Sequence, residues 1–208
     1  MDDLGRTGDT PERVGFDGVP FAFEWLCPPA EWHADPARLV VSAPAQTDWF
    51  IDPISSRPVR TAPLLVGPAP RGDFTWEAHV VLDGDAMFDA AGLFVYGDDN
   101  HWAKLAVEVT AAGPTIVSVV TDAFSDDCNS TVLEQSSAWL RLARVGDALA
   151  FHTSDGGGRW ELVRVFRTAS AAPRIGFVCQ APTGAGCTGT FDAIAFNTRS
   201  LSDVRDGT

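Results

Sequence analysis

The sequence predicts an all-β domain, arranged as a two-sheet sandwich or a barrel. Short stretches rich in β-branched and aromatic residues recur along the chain, and turn-forming sequences such as residues 97–100 and 155–158 separate them. No long stretch has helical periodicity bounded by capping residues, and helical turns are expected only near residues 28–37 and 122–130. Many short strands at regular spacing are typical of sandwiches and barrels.

The clearest predicted strand covers residues 74–82. Its apolar residues alternate with polar ones, so that Phe74 and Trp76 share one face while Thr75 and Glu77 share the other. This pattern is typical of a strand with one buried face. Other strands are predicted over residues 92–96, 102–109, 115–121, 139–145, 148–153, 160–166, 174–180 and 189–196.

One domain is expected to occupy most of the chain, over residues 21–198. Residues 1–20 hold five acidic side chains spaced by glycine and proline, which is typical of a flexible acidic leader. Residues 199–208 are polar and predict a flexible tail. No internal repeat divides the region between these two ends.

The charge of the chain restricts its partners. The 28 acidic side chains outnumber the 15 basic ones, which gives a net charge of −13 at pH 7. Phosphate backbones and anionic lipid surfaces repel such a protein, so neither nucleic acid nor a membrane is an expected partner. The amino terminus has no basic, apolar signal sequence and no apolar run is long enough to cross a bilayer, so a cytoplasmic location is expected.

The sequence also lacks the motifs of common cofactor and metal sites. It has no phosphate loop, dinucleotide fingerprint or nucleophile elbow, so no cofactor is expected. The four cysteines and four histidines have no paired metal-ligand spacing, so no metal is expected. Cys179 and Cys187 flank a turn-rich segment; they predict buried free thiols in a reducing compartment and a disulfide in an oxidising one.

Seven short segments resemble those of a known family and follow one another in the same order. Their sequences are FEWLCPP, QTDWF, GDFT, DAAGL, WAKLAVE, WLRLAR and SDG, and the resemblance extends over residues 21–196. The chain is similar to the uncharacterised concanavalin A-like family named after a yeast regulator of enolase. The resemblance implies a jelly-roll β-sandwich of two antiparallel sheets, one of them curved. Because this fold hosts lectins, glucanases and many other proteins, function must be sought in the residues themselves.

The strand over residues 102–109 is the strongest candidate for a site. Trp102, Lys104 and Glu108 point to one face, opposite a fully apolar face. On the concave face of a jelly roll this row forms a ligand platform. Trp102 then stacks on a sugar ring, while Lys104 and Glu108 bind hydroxyl groups or move protons. On a convex face the same row is a solvated surface with a Lys–Glu pair.

A basic side chain on a second strand is a further candidate. Arg141 shares a face with Trp139 in the strand predicted over residues 139–145. An arginine on a strand face commonly pairs with a carboxylate, and Glu108 is a plausible partner. The alternative is a direct role at the site, in which Lys104 or Arg141 stabilises an anion that develops during a reaction.

Two loops are candidates for the rim of the cleft. Thr121, Ser125 and Asp126 lie at and after the end of one predicted strand, and Asp48 and Trp49 lie in an earlier loop. The alternative interpretation is that such residues close turns or cap helical turns. Carboxylates near Asp126 would also suit calcium, but no regular ligand spacing supports an ion there.

Three functions fit these residues. The first is binding of a carbohydrate or other polar small molecule in the concave cleft. The second is an enzyme in which Glu108 acts as general acid or base, as in a lyase, isomerase or cyclase. A glycoside hydrolase fits less well because Glu108 is the only acidic residue in its strand. The third is a regulatory module that binds another protein.

Overall fold

The protein is an antiparallel β-sandwich with the concanavalin A-like jelly-roll fold, as the sequence and its family resemblance predicted. The computed structural model describes residues 13–170 and 172–208, which form strands, turns and loops without a helix. The strands are β1 (Arg13–Val14), β2 (Phe23–Cys27), β3 (Glu31–Asp35), β4 (Arg38–Pro44), β5 (Trp49–Ile51), β6 (Pro58–Arg60), β7 (Leu64–Pro68), β8 (Phe74–Asp83), β9 (Ala90–Asp98), β10 (His101–Thr110), β11 (Gly113–Asp122), β12 (Phe124–Val132), β13 (Ser137–Val145), β14 (Ala148–Ser154), β15 (Glu161–Phe166), β16 (Arg174–Gln180) and β17 (Gly186–Asn197).

Two large sheets form the layers of the sandwich. Sheet A has eight strands in the order β1-β2-β7-β16-β9-β10-β11-β12, and sheet B has seven in the order β15-β14-β13-β8-β17-β4-β3. The short strands β5 and β6 pair only with each other, as a separate hairpin. Strands that are consecutive in the chain often belong to different sheets, so residues far apart in sequence meet in one layer.

The main core lies between the two sheets and follows directly from strand alternation. Phe74, Trp76 and Val80 of β8 are at most 1% exposed and face Leu105 and Phe177 of sheet A. The rings of Trp76 and Phe177 lie 5.1 Å apart, which places two large side chains from opposite sheets in contact. Burial of one such side chain contributes about 1.5–3 kcal/mol, so this layer provides much of the stability.

A second apolar cluster lies on the outer face of sheet A, beneath the β5–β6 hairpin. Trp49 and Ile51 of β5 face the sheet, and the Trp49 indole N–H donates to the carbonyl oxygen of Ala62 at 2.9 Å. The sheet contributes the apolar side chains Leu64, Val66, Phe94, Trp102, Val117, Val119 and Val178. The hairpin therefore covers part of the sheet face that the sequence presents as a candidate platform.

The two regions expected to contain helical turns are strands instead. Residues 31–35 form β3, which pairs with β4, and residues 124–132 form β12, which pairs with β11. Pairing with a neighbouring strand satisfies the backbone hydrogen bonds of each segment. The proline and acidic residues that suggested capped turns lie at strand ends or in exposed positions, where they do not oppose pairing.

The ends of the described chain also differ from the expected flexible leader and tail. Residues 1–12 of the expected leader lie outside the described residues, but Val14 and Phe16 are buried, and Phe16 packs edge-on against Phe23. At the other end, residues 199–208 lie against the outer face of sheet B. Leu201 is 4% exposed there, and the carbonyl oxygen of Gly207 accepts a hydrogen bond from sheet B. Residues 13–20 and 199–208 therefore pack with the folded domain.

Candidate functional site

The candidate site is built on the outer face of sheet A by strand β10. Trp102, Lys104 and Glu108 point to this face, while Leu105 and Val107 point into the core between the sheets. All three outward side chains are at least nine-tenths buried because the hairpin and neighbouring strands surround them. Two of the three are ionisable, so their partners determine what this face does.

Lys104 joins the hairpin to the sheet. Its side chain is 2% exposed, and Nζ donates to the carbonyl oxygen of Trp49 at 2.9 Å and to Oε1 of Gln180 at 2.7 Å. The carboxylate of Asp48 lies 3.6 Å from the same ammonium. The Gln180 amide in turn donates to the carbonyl oxygen of Phe88 at 3.3 Å. Lys104 is therefore a buried cation whose charge and donors are used by the protein itself.

Glu108 is buried in a different way, because no side chain or backbone group compensates its charge by direct contact. It is 8% exposed, and among the described residues its carboxylate accepts no hydrogen bond and forms no ion pair. Burial raises the pKa of Glu108 to about 7; the Lys104 ammonium lowers this pKa, and Asp48 and Asp127 raise it. Both protonation states are therefore populated near neutral pH, and Glu108 can donate or accept a hydrogen bond.

This arrangement suits the recognition of hydroxyl groups or the transfer of a proton. Buried polar groups are normally paired within the protein, and an exception is a candidate for contact with a ligand. A carboxyl group that titrates near neutral pH is also suited to general acid–base chemistry. Among the described residues, no group of three or more His, Cys, Asp or Glu side chains is placed to hold a metal ion.

The two predicted aromatic ligand contacts, Trp102 and Trp49, are buried and do not face a ligand. Trp102 is 2% exposed and stacks on Phe94 with ring centroids 5.3 Å apart. Trp49 is 3% exposed and packs edge-on against Trp102. Stacking of Trp102 on a sugar ring is thus excluded in this conformation, since the hairpin occupies the space above it. Both residues instead form part of the apolar cluster between the hairpin and sheet A.

Of the rim residues predicted around β12, Thr121 and Ser125 hold the β5–β6 hairpin in place, whereas Asp126 lies on the opposite side of the strand. Thr121 and Ser125 share a hydrogen bond of 2.9 Å between their hydroxyl groups, and the Ser125 hydroxyl accepts from the backbone N–H of Ile51 at 2.9 Å. They therefore anchor the hairpin. Asp126 points away and pairs with Arg164 of β15 at 3.1 Å. The acid of β12 that acts on the Glu108 carboxyl is its neighbour Asp127.

Arg141 is not part of this site, and the predicted Arg141–Glu108 pair is wrong. Strand β13 belongs to sheet B, where Arg141 Nε donates to Glu77 Oε1 at 2.8 Å and Nη1 donates to the carbonyl oxygen of Gly207 at 2.8 Å. Its guanidinium also lies 3.8 Å from the ring centroid of Trp160. Burial lowers the pKa of Arg141, and Glu77 opposes this shift. Arg141 is a fully partnered structural residue of the other sheet.

The structure adds three residues that sequence reasoning missed: Gln180, Asp127 and Phe88. Gln180 is 2% exposed and ends a strand that is apolar from Ile175 to Cys179, so a polar residue after this apolar run was the available signal. Phe88 is 46% exposed and has a positive backbone φ of 70°, which is rare for a bulky residue and costs conformational energy. Its backbone N–H donates to the carbonyl oxygen of Val109, which places it beside Glu108 in β10. Only the fold could reveal this neighbour.

Comparison with known sequences identifies the family. The family model DUF1349, described as a protein of unknown function, matches residues 25–199. The chain belongs to this family. It is also 26% identical over 144 residues to the "Regulation of enolase protein 1" of Saccharomyces cerevisiae, covering 68% of this chain and 71% of the yeast protein. The resemblance noted in the sequence is thereby confirmed.

Comparison with solved structures supports the same fold. A functionally unknown protein from Saccharomyces cerevisiae matches with a TM-score of 0.80 at 21% identity, over 86% of this chain and 97% of that one. The GH43 protein BlXynB from Bacillus licheniformis matches with a TM-score of 0.69 at 14% identity, over 85% of this chain but only 37% of that one. The carbohydrate-binding module CBM66 from Bacillus subtilis matches with a TM-score of 0.53 at 12% identity, over 83% and 94% of the two chains. At these identities, the likeness shows the fold alone.

The described residues contain no helix that is long and apolar enough to span a membrane.

Proposed function

We propose that this domain binds a carbohydrate or another polyhydroxylated small molecule on the outer face of sheet A. The observation that carries the proposal is Glu108, a buried carboxyl group without a hydrogen-bond partner among the described residues. The carboxylate oxygens of Glu108 are not among the fully shielded polar atoms, so a ligand hydroxyl can take the place of water there. The fold shared with a carbohydrate-binding module is consistent with a sugar as that molecule.

The charges around Glu108 favour a neutral ligand. The Lys104 ammonium is already surrounded by oxygen atoms of Trp49, Gln180 and Asp48, so it offers little to an incoming anion. Asp48 and Asp127 add negative charge near Glu108, and the whole chain has a net charge of −13. Phosphorylated or carboxylated ligands are therefore disfavoured, whereas hydroxyl groups can donate to these carboxylates.

The backbone of Phe88 lies next to this polar cluster, and in this proposal its exposed ring forms an apolar flank. Sugar rings have apolar faces, and sites that bind them combine aromatic surface with a few convergent polar groups. In this proposal Glu108 hydrogen-bonds a ligand hydroxyl, and Phe88 takes the place that the sequence had suggested for Trp102. The strained backbone of Phe88 is consistent with a position kept for its side chain.

A second candidate function is acid–base catalysis at the same carboxyl group. The specific observation in its favour is the pKa of Glu108, which burial raises to about 7. A general acid or base works best when its pKa lies near the working pH. Proton abstraction, as in an isomerase or lyase, requires only one such group, so this function needs no second carboxylate in the strand.

The test compares the wild type with Glu108→Gln and a matched control, Glu31→Gln, which alters an exposed glutamate of sheet B. Calorimetric titrations use neutral mono- and oligosaccharides of xylose, glucose and fructose, together with glucuronate as an anionic probe. We expect binding of at least one neutral series by the wild type and the control, and an affinity at least about tenfold lower for Glu108→Gln. Absence of binding by the wild type, or equal affinity for all three proteins, would overturn the proposal.

A turnover assay on the sugar that binds separates the two functions. If the domain only binds, the sugar is recovered unchanged after long incubation with the wild type. If Glu108 transfers a proton, the wild type exchanges a carbon-bound hydrogen of the sugar with deuterated water, and Glu108→Gln does not.

A further inference from the structure

A groove lies on the outer side of the β5–β6 hairpin, next to the site just described. Phe50 lies opposite Val59 of β6 and is half-buried, because part of its side chain packs against the apolar cluster on sheet A. These two residues form the floor of a groove with a volume of ≈ 520 Å³. Its polar walls include Gln46, Asp48 and Arg57. This volume falls within the range of about 300–1,000 Å³ that is usual for small-molecule sites.

Asp48 belongs both to the groove and to the cluster around Glu108. On one side its carboxylate lies 3.6 Å from Lys104 Nζ and raises the pKa of Glu108, and on the other side it lines the groove. Its Oδ1 atom is shielded from solvent and has no hydrogen-bond partner among the described residues. This atom faces the Lys104 ammonium, and the partly exposed remainder of Asp48 lines the groove, so the two regions are adjacent sections of one surface that share Asp48.

The groove has the composition of a sugar subsite. Phe50 packs in part against the apolar cluster on sheet A, and the aromatic surface that stays uncovered lines the groove. Arg57 lines the groove, and its side chain forms no ion pair or hydrogen bond within the described part of the chain. An aromatic floor with free polar groups at its edge is the arrangement that binds a sugar ring by stacking and hydrogen bonding.

We propose that this groove is a second subsite, so that the ligand is an oligosaccharide or similar extended chain and not a single sugar. One unit binds at Glu108, the link passes Asp48, and the next unit lies on Phe50. This inference rests on the proposed function, because it extends the same ligand over a longer surface. It also gives the hairpin a role beyond covering the apolar cluster on sheet A.

The test measures affinity against ligand length. Calorimetric titrations use xylose, glucose and fructose with their oligosaccharides of two to four units. For a series that binds, we expect the affinity to rise at least about tenfold between one unit and three, because a second ring adds a stacking contact with Phe50. Phe50→Ala should reduce the affinity for the longer members to that of the single sugar.

Two further variants control for unfolding and for loss of any exposed aromatic ring. Arg57→Gln changes an exposed turn residue and should weaken only the longer ligands, whereas Phe124→Ala removes an exposed ring outside the groove lining and should change nothing. If single sugars bind but length and Phe50→Ala have no effect, the second subsite is wrong and the proposed function stands. If no member of any series binds, both proposals fail.

Discussion

The outer faces of the two sheets carry the same short pattern but use it differently. Strand β10 of sheet A has a tryptophan followed two residues later by Lys104, and β13 of sheet B has a tryptophan followed two residues later by Arg141. Both basic side chains are 2% exposed. Arg141 has a carboxylate partner, Glu77, at 2.8 Å, whereas the carboxylate in the strand of Lys104, Glu108, has none among the described residues. The two faces therefore do not differ in having a buried basic residue. They differ in the carboxylate, because Glu77 is paired and Glu108 has no direct partner among the described residues.

The segments that cover the two faces explain this difference. On sheet B, the Gly207 carbonyl oxygen and the Trp160 ring complete the environment of Arg141. On sheet A, the hairpin uses the ammonium of Lys104 but does not provide a donor to Glu108, which lies four residues further along β10. The buried cation of sheet B therefore has a carboxylate at hydrogen-bond distance, whereas the Glu108 carboxylate of sheet A has no direct partner among the described residues.

The largest effect is expected from removing the partnered charge of sheet B. Arg141→Met should lower the free energy of unfolding by about 3–5 kcal/mol, because it leaves the Glu77 carboxylate buried without a partner. Urea denaturation measures the difference. Arg167→Met, which removes one member of an exposed ion pair, is the control and should cost less than about 1 kcal/mol. A small loss in Arg141→Met would show that this face is not held by its charge pair.

A smaller loss is expected from the corresponding change on sheet A. Lys104→Met should cost about 2–4 kcal/mol, since the carbonyl oxygen of Trp49 and the side chain of Gln180 lose their buried donor and the carboxylate of Asp48 loses its ion-pair partner. It should also move the pKa of Glu108 further above 7, because the ammonium lowers that pKa. Carboxyl-carbon NMR titration measures the shift. An unchanged pKa would contradict the electrostatic coupling between the two residues.

The same conservative substitution should have opposite signs on the two faces. Glu77→Gln should destabilise the protein by about 1–3 kcal/mol, because Arg141 loses a charged partner. Glu108→Gln should stabilise it by about 1–3 kcal/mol at pH values above 7, because it removes a buried charge that has no partner. Loss of stability in both variants would show that Glu108 is satisfied within the protein, as Glu77 is.

The effect of Glu108 on stability should depend on pH in a defined direction. Its pKa rises from an ordinary value of 4.5 to about 7 on folding, so between these values the folded protein binds more protons than the unfolded chain. Stability attributable to Glu108 therefore falls as the pH rises through this window and is constant above it. Thermal melts of the wild type and Glu108→Gln should converge near the lower value and diverge towards the upper one. A constant difference would contradict the shifted pKa.

The smallest effect is expected at Asp126. Its carboxylate is exposed and pairs with Arg164 away from the site, so Asp126→Asn should change stability by less than about 1 kcal/mol and leave ligand affinity unchanged. Asp127→Asn is the informative neighbour, because Asp127 raises the pKa of Glu108 and its removal should lower that pKa. A loss of affinity in Asp126→Asn alone would place the site on the other side of β12.

Local alternation and β-rich composition predicted nine strands between residues 74 and 196 and the faces of their side chains, but none of the seven strands in residues 13–68 and not β12. The apolar face of β8, the range of β16 and the outward position of Lys104 and Glu108 all follow from a repeat of two residues. The sequence also showed that Lys104 and Glu108 are charged residues among the apolar residues of the strand predicted over residues 102–109. These features depend only on neighbours along the chain.

The partners of those side chains could not be read in the same way. Arg141 and Glu77 are 64 residues apart and meet because β13 joins β8, which alternation does not specify. The hairpin over Trp102 consists of two three-residue strands, which are too short to show a pattern. The backbone of Phe88 is a property of the folded loop. The wrong predictions, the Arg141–Glu108 pair and an open face at Trp102, therefore concern contacts between residues that are far apart in the sequence.

The positions of the hairpin's partners in the chain also determine when its apolar side chains are covered during synthesis. Hydrogen bonds join Trp49 to Lys104, Ile51 to Ser125, and Thr47, just before the hairpin, to Ala181, across 55, 74 and 134 residues. The hairpin therefore emerges from the ribosome long before its last partner has been made. Until residue 181 has been made, Trp49 and Ile51 have no complete surface to cover, and contacts that are distant in sequence form slowly. Sheet B is completed later still, because β17 and residues 199–208 follow residue 181 in the chain. A nascent chain that stalls before β16 is made is expected to expose Trp49 and Ile51 to chaperones.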